Sequence, residues 1–253
     1  MELDRLFAAP IAHRGLHDEA AGVAENSAGA ALAAVGRGFG IECDVQRTAD
    51  GEAVVLHDFT LDRLTDAAGP VAGRTLAQLR GVRLRGSGEP IPILPEFLRL
   101  IGGRVSVTIE IKSRFDGDMR LAERVAALVA ETPGPVAVKS FDPAIVAHLR
   151  ADPRMARVPR GVVAQAAYQG AAWDGLPHGA RRSLAQFLHL ADSRPDFLSF
   201  HVGDLPHAVP HLLRTGLGLP VMAWTVRSPA VAAQGLRWAD QIVFENFDPS
   251  CSA

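Results

Sequence analysis

Short β-like runs alternate with helix-like runs along the whole 253-residue chain. Short apolar strands separated by helices are typical of parallel sheets that are covered on both faces. We predict strands at 9–14, 41–47, 105–111, 136–139, 159–164, 196–200, 220–225 and 241–245. We predict helices at 27–37, 95–102, 118–131, 142–151, 179–191, 205–215 and 229–236. Eight strands in about 250 residues favour an α/β fold of the (β/α)8 TIM-barrel type as a single domain over residues 1–253, although a doubly wound open sheet would also alternate.

The interval 48–95 is longer than one βα connection needs, and it begins with a predicted β-hairpin. Asp50-Gly51 is a strong signal for a two-residue turn between β-like runs. With that turn, Arg47 faces Val54, and Asp44 faces His57 on the same side of the hairpin. We therefore expect a β-hairpin and a short insertion after the second strand, with His57 beside Asp44.

The bulk charge and the cysteine content restrict the partners and the compartment. With 26 basic and 28 acidic residues the net charge is −2, which gives no electrostatic reason to expect nucleic acid or an anionic membrane. No window approaches the ~18 apolar residues of a membrane span, so no membrane insertion is expected. Cys43 and Cys251 do not form a disulfide framework, and we expect a cytoplasmic protein of unknown oligomeric state.

Three carboxylates are predicted to meet at the carboxyl ends of the barrel strands, where functional groups gather in such folds. In "IECDVQR" strict alternation places Glu42 and Asp44 on one face, and in "VTIEIK" it does the same for Glu110 and Lys112. Oxygen ligands without clustered Cys or His favour Mg²⁺ or Ca²⁺. The alternative is a salt-bridge network of these carboxylates with Lys112 and Arg14 and no metal.

Two histidines and two basic residues are expected at the same rim. His13 and Arg14 follow the first strand, and the hairpin returns His57 to the carboxylates. A histidine pair can supply a general base and a general acid near neutral pH. A metal beside Arg14 and Lys112 suits an anionic substrate, and phosphate is the natural candidate.

Four further rim residues have two readings each, and a fifth is given one. Lys139 either belongs to a phosphate region or is a charge of the barrel rim, and Trp224 either walls a substrate pocket or packs the barrel top. Glu25 and Asn26 either belong to the site or cap the following helix. His201 is interpreted as structural or peripheral.

A set of motifs carries a resemblance to a known family. The stretches "AHRG", "EN" at 25–26, "IECDVQRTADGEAVVLHD", "LDRLT" and "IEIK" resemble the glycerophosphodiester phosphodiesterase family in order and spacing over residues 11–112. "KSF" at 139–141 and "AWTV" at 223–226 extend the similarity more weakly. The resemblance implies a TIM barrel, a divalent metal, and hydrolysis of glycerophosphodiesters to glycerol 3-phosphate and an alcohol.

The resemblance also implies roles for individual residues. His13 and His57 become the acid–base pair, and Glu42, Asp44 and Glu110 become the ligands of Mg²⁺ or Ca²⁺. The substrate-binding residues are Arg14, Lys112, Trp224, Glu25 and Asn26. In the implied mechanism His13 deprotonates the glycerol 2-hydroxyl, which attacks phosphorus, and His57 protonates the leaving alcohol. Water then opens the cyclic phosphate.

One departure from the family pattern lies at the end of the eighth strand, where Glu245-Asn246 stands in place of a Thr-Asp pair. Other functions remain open: a lysophospholipase D-like enzyme acting on lipids with the same site, a non-catalytic phosphodiester-binding protein, or a barrel that uses Lys112 for a Schiff base. The segment 58–94 lacks clustered aromatic residues, which favours a small substrate.

Overall fold

The computed structural model describes residues 2–251, with side chains for residues 3–250. Within that range the strands are β1 Ile11–Ala12, β2 Gly40–Arg47, β3 Ala53–Val55, β4 Val107–Ile111, β5 Val136–Ser140, β6 Arg160–Ala164, β7 Phe197–His201, β8 Val221–Val226 and β9 Gln241–Phe244. The helices are α1 Glu2–Leu6, α2 Ala28–Arg37, α3 Leu76–Leu79, α4 Leu94–Ile101, α5 Arg120–Val129, α6 Pro143–Ala151, α7 His178–Ala185, α8 Leu190–Ser193, α9 Ala208–Leu217 and α10 Pro229–Gly235. Of these helices, none combines the length and the apolar character needed to cross a membrane.

Eight parallel strands form a closed barrel, which confirms the predicted TIM-barrel fold. Each of β1, β2 and β4 to β9 pairs with its neighbours in chain order, and β9 pairs with β1 to close the sheet. β3 lies antiparallel on β2 outside this ring, as the predicted hairpin requires. The predicted helix at 179–191 is divided into α7 and α8 because Phe187 between them has a φ of 55°, which ends the first helix.

The two faces of the strands serve different purposes. Outward residues such as Ile41, Cys43 and Val45 are fully buried in the apolar layer between the barrel and its helices. The amino-terminal end of the barrel interior is filled by apolar side chains that include Phe197 and Met222. The inward positions at the carboxyl-terminal end of β2 and β4 are instead carboxylates, so this is where the polar groups of the barrel collect.

The register of the hairpin differs by one residue from the prediction. Val45 pairs with Val55 and Arg47 with Ala53, whereas a two-residue turn would pair Arg47 with Val54. The turn has three residues, because Gly51 adopts a φ of +88° and adds one residue at the end of the turn. Asp44 therefore faces Leu56, whose N–H donates to the Asp44 carbonyl (3.0 Å), and not His57.

The insertion after β3 has an apolar core of its own. Val54, Leu56, Leu61 and Leu84 are almost fully buried there against one another. Because Leu56 is packed into this core at the end of the hairpin, the next residue is held at the mouth of the barrel. The chain leaves the strand after β3, and this change of direction brings His57 to the site. The predicted position of His57 beside Asp44 relied on strand alternation, which does not extend to residue 57.

Gly161 has no side chain, and this leaves room inside the barrel for the ring of Phe197. A larger residue at position 161 should therefore lower the stability of the fold. A Cβ atom at this position would lie 2.3 Å from the ring of the fully buried Phe197 on the adjacent strand. We expect Gly161→Ala to lower the free energy of unfolding by about 1–3 kcal/mol, because the added methyl group forces the Phe197 ring or the backbone out of its packed position. Gly216→Ala in α9, where a Cβ would meet nothing within 4 Å, is the control. Equal chemical-denaturation midpoints for the two variants would contradict this packing account.

Candidate active site

Three carboxylates meet at the carboxyl-terminal rim of the barrel. Glu42 and Asp44 project inward from β2, and Glu110 projects inward from β4, where it is the Cα partner of Asp44. One oxygen of each lies within 4.8 Å of the others, and the three residues are at most 5% exposed. Three buried carboxylates with only oxygen donors match the ligand preferences of Mg²⁺ and Ca²⁺. The residues present therefore fit a divalent cation.

Two lysines contact the same carboxylates, one of them partly exposed and the other buried. Lys112 Nζ lies 2.7 Å from Asp44 Oδ1 and 2.5 Å from Glu110 Oε1. Lys139 Nζ lies 3.1 Å from Glu42 Oε1 and 3.3 Å from Glu110 Oε2. Lys139 is only 3% exposed, so its ammonium group lies inside the barrel as part of the site.

The cations determine the charge state of the carboxylates. Burial alone would raise the pKa of Asp44, but the charges of Lys112, His57 and Arg14 hold that pKa well below its usual range. Burial would likewise raise the pKa of Glu110, and Lys112 and Lys139 lower it instead. These two carboxylates are thus ionised at neutral pH, which is the state that a metal ligand requires.

His13 is oriented by a carboxylate that lies far away in sequence. His13 Nδ1 is 2.5 Å from Glu245 Oε2, and its other ring nitrogen, Nε2, is 4.0 Å from Glu42 Oε2. The two residues meet because β1 and β9 are neighbours and both residues follow the ends of these strands. Arg227 Nε donates to the second oxygen of Glu245 (2.7 Å). Burial would raise the pKa of Glu245, but the hydrogen bond from His13, the His17 ring 3.7 Å away and the charge of Arg227 hold it far below its usual range.

His57 is oriented in the same way by its neighbour in sequence. His57 Nδ1 lies 2.7 Å from Asp58 Oδ1, so its Nε2 is the nitrogen left for the site. Arg63 donates two hydrogen bonds of 2.7 Å to the two carboxylate oxygens of Asp58. The hydrogen bonds from Arg63 and His57 lower the pKa of Asp58 to about 2, against the raising effect of burial. Each histidine is thus held through Nδ1 by an ionised carboxylate, as is typical of catalytic histidines.

The predicted pair Glu25 and Asn26 connects these groups. Glu25 accepts hydrogen bonds from Arg14 Nη1 (2.8 Å) and from Arg63 Nη2 (3.0 Å). The Asn26 amide donates to Asp44 Oδ2 (3.0 Å) and accepts from the Asp44 backbone N–H (3.2 Å). Asn26 therefore orients Asp44, while the helix cap of α2 is provided by Ser27.

A cavity of about 450 Å³ opens beside this cluster. His57, Glu110 and Lys112 form its inner end. The remainder is largely apolar, and its main walls are Phe59, Phe115, Phe141, Trp173 and Leu176. The fold thus places an aromatic cavity directly against the polar site.

Trp224 and His201 lie behind this cavity. The Trp224 indole N–H donates to the Ser199 carbonyl (2.9 Å), and its ring packs edge-on against Phe141 at 5.4 Å. His201 packs on Trp224 at 5.2 Å, and its Nδ1 is 3.2 Å from Asp204 Oδ2. A direct contact of Trp224 with substrate stays a prediction.

Comparison with known proteins identifies the family of this chain. The profile of the glycerophosphoryl diester phosphodiesterase family matches residues 13–247. The chain belongs to this family. A Mycobacterium tuberculosis member, "Probable glycerophosphodiester phosphodiesterase 2", is 31% identical over 228 residues, which cover 87% of this chain and 80% of the relative.

Some other relatives of this family member match over shorter stretches. A glycerophosphodiester phosphodiesterase of Caldanaerobacter subterraneus is 43% identical over 111 residues, which cover 41% of this chain and 44% of the relative. The chain spans less than half the length of that relative. Among solved structures, an Oleispira antarctica phosphodiesterase in complex with the product sn-glycerol-3-phosphate has a TM-score of 0.76 at 21% identity, covering 96% of this chain and 94% of that chain. This likeness shows a shared fold.

The sequence did not reveal every residue that this family member brings to the site. Glu245 was noted only as a departure from the family pattern, yet it binds His13. Arg63 lies in the "LDRLT" motif, but nothing in that motif indicated its contacts with Asp58 and Glu25. Trp173 lies in a stretch without a recognisable motif, and its pattern carried no signal of a cavity.

Proposed function

We propose that this family member is a metal-dependent phosphodiesterase that hydrolyses glycerophosphodiesters to glycerol 3-phosphate and an alcohol. The observation that carries the proposal is the pair of histidines, each oriented by a carboxylate, around one cluster of three buried carboxylates. Family membership and the names of the relatives support the substrate class. The product bound to the Oleispira antarctica phosphodiesterase is consistent with it.

Glu42, Asp44 and Glu110 would hold the cation, either Mg²⁺ or Ca²⁺. When bound, such a cation supplies positive charge that stabilises the charge developing on phosphate oxygens. Lys112 and Arg14 already stand beside the carboxylates and would bind further phosphate oxygens. In this arrangement the substrate phosphate lies between the two histidines.

The two histidines would then act on opposite sides of the phosphorus. His13 Nε2 takes the proton of the glycerol 2-hydroxyl, whose oxygen forms the new bond to phosphorus. His57 Nε2 gives its proton to the alcohol oxygen as the phosphorus–oxygen bond to that alcohol breaks. Water opens the resulting cyclic phosphate with the roles reversed, so that both histidines return to their starting state.

Product analysis with glycerophosphocholine tests this mechanism. We expect phosphorus NMR to show glycerol 3-phosphate, preceded by a cyclic phosphate, because the 2-hydroxyl is the proposed nucleophile. The matched analogue with hydrogen in place of that hydroxyl should not be cleaved. Phosphocholine and glycerol as products, or cleavage of the analogue at the normal rate, would overturn the proposal. Lysophosphatidylcholine measured in parallel tests the lipid-directed alternative.

A further inference from the structure

We propose that the aromatic cavity beside His57 binds the leaving alcohol and selects alcohols that carry an aryl or extended alkyl group. The inference rests on the proposed function, since it concerns the substrate of the same site. It goes beyond that function because neither the family match nor the family motifs specify the alcohol. The cavity is continuous with the polar site through His57, Glu110 and Lys112. Because His57 is the proposed donor of a proton to the leaving alcohol, the space beside it is where that alcohol must lie.

The cavity walls are held in place by one another. The Trp173 ring lies 6.1 Å from Phe115, 5.2 Å from Phe141 and 4.7 Å from Tyr168, each measured between ring centres. Tyr168 is only 3% exposed and supports Trp173 from behind. These residues come from three loops, after β4, β5 and β6, which converge on one point. Rings that fix one another across separate loops make a preformed pocket.

The polar groups of the walls offer few free partners to a glycerol moiety and no free counter-ion to a small cationic alcohol. The Ser113 hydroxyl donates to Asp142 Oδ2 (2.6 Å) and therefore has its proton engaged. Glu110 is the one carboxylate among the described residues that line the cavity, and it is already bound to Lys112. The guanidinium of Arg114 stacks on Phe59 at 4.2 Å. An ammonium group would therefore find no free carboxylate among the described lining residues, and only the ring faces could attract it.

The size and surface of the cavity favour a large apolar group. A volume of about 450 Å³ lies in the range of pockets for drug-sized ligands and exceeds what an ethanolamine or choline group needs. The rings of Trp173 and Phe141 present apolar surface, whose burial against an aryl or alkyl group is favourable. A bulky apolar alcohol thus fits the space, the surface and the charge of this cavity.

Two matched esters test the inference: glycerophosphoryl ethanol and glycerophosphoryl 2-phenylethanol, whose leaving alcohols differ mainly by the phenyl ring. We expect the phenylethyl ester to have a kcat/KM about tenfold or more above the ethyl ester. Trp173→Ala should remove most of that advantage, because it lowers kcat/KM for the phenylethyl ester much more than for the ethyl ester. Trp238→Ala changes a half-buried tryptophan elsewhere, which packs edge-on against His211, and should keep the advantage. Equal kcat/KM values for the two esters, or an unchanged preference in Trp173→Ala, would overturn the inference.

A binding measurement separates this inference from the proposed function. Calorimetry with 2-phenylethyl phosphate and ethyl phosphate reads the cavity without any turnover. Tighter binding of the phenylethyl compound to the wild-type protein, lost in Trp173→Ala, supports the inference even if neither ester is hydrolysed. Equal binding of both compounds contradicts it even if the ethyl ester is hydrolysed, in which case the proposed function stands alone.

Discussion

Replacing His57 with alanine is expected to lower kcat for glycerophosphocholine by about 10²- to 10⁴-fold. The alcohol that leaves from this substrate is a poor leaving group, so its oxygen must receive a proton as the bond to phosphorus breaks. His57 is the proposed donor, because Asp58 holds its Nδ1 and leaves Nε2 for the substrate. Steady-state kinetics of the purified variant measure the loss.

A substrate with an activated leaving group isolates this role. The 4-nitrophenyl ester of glycerol 3-phosphate releases a phenolate that needs little protonation, so His57→Ala should release nitrophenolate in the first turnover at nearly the wild-type rate. The later role of His57 as base, in opening the cyclic phosphate, does not affect this first release. His13→Ala should slow both substrates, since the 2-hydroxyl must lose its proton in either case. His148→Ala, on the outer helix α6, is the control and should change neither rate. A loss in His57→Ala that is equal for the two substrates would rule out its role as the acid.

Replacing Glu245 with glutamine should have an effect of similar size, a decrease in kcat of about 10²- to 10⁴-fold. The Glu245 carboxylate accepts the proton of His13 Nδ1 and so leaves Nε2 unprotonated for its role as base. A glutamine amide can donate to Nδ1 instead, and the proton of the imidazole then moves to Nε2. The nitrogen that faces the substrate would lose its ability to accept a proton.

Arg227→Gln is the matched control for this variant. Arg227 binds the other oxygen of Glu245, but its side chain is 58% exposed and its charge is screened by solvent. We expect kcat to fall by no more than about threefold in this control. Thermal unfolding should show that both variants are folded at the assay temperature. Wild-type kcat in Glu245→Gln would show that His13 does not depend on this carboxylate.

The barrel could be predicted because alternation of short apolar runs with helical runs is a property of single segments. The same holds for Glu42, Asp44 and Glu110, which strand alternation alone places on the inward face. The predicted register of the hairpin was wrong by one residue, because Asp50-Gly51 occurs in both two-residue and three-residue turns. Which of these forms depends on the φ that Gly51 adopts, and the sequence leaves that free.

The partners of the histidines could not be predicted, because they depend on contacts between distant segments. His13 and Glu245 are 232 positions apart and meet only when β9 closes the barrel against β1. The aromatic cavity draws its walls from separate loops, so no window of the sequence contains the cluster. The absence of clustered aromatic residues in 58–94 was therefore a poor guide to the space beside the site.

Lys139 changes the electrostatic picture of the metal site. In the salt-bridge alternative that the sequence offered, Arg14 and Lys112 were the two cations opposite three carboxylates. With Lys139 inside the barrel, three cations stand beside Glu42, Asp44 and Glu110. A divalent cation must therefore compete with the Lys112 ammonium for oxygens of Asp44 and Glu110. The response of activity to added metal tests this site directly.

That test is the release of glycerol 3-phosphate from glycerophosphocholine by metal-stripped protein as Mg²⁺ or Ca²⁺ is titrated back. We predict no release in EDTA, release that saturates with at least one of the two cations, and loss of that response in Asp44→Asn. Asp118→Asn, which alters a half-buried carboxylate paired with Arg120, should respond like the wild-type protein. Full release in EDTA would contradict the account, because the three carboxylates would then act as a salt-bridge network without a metal.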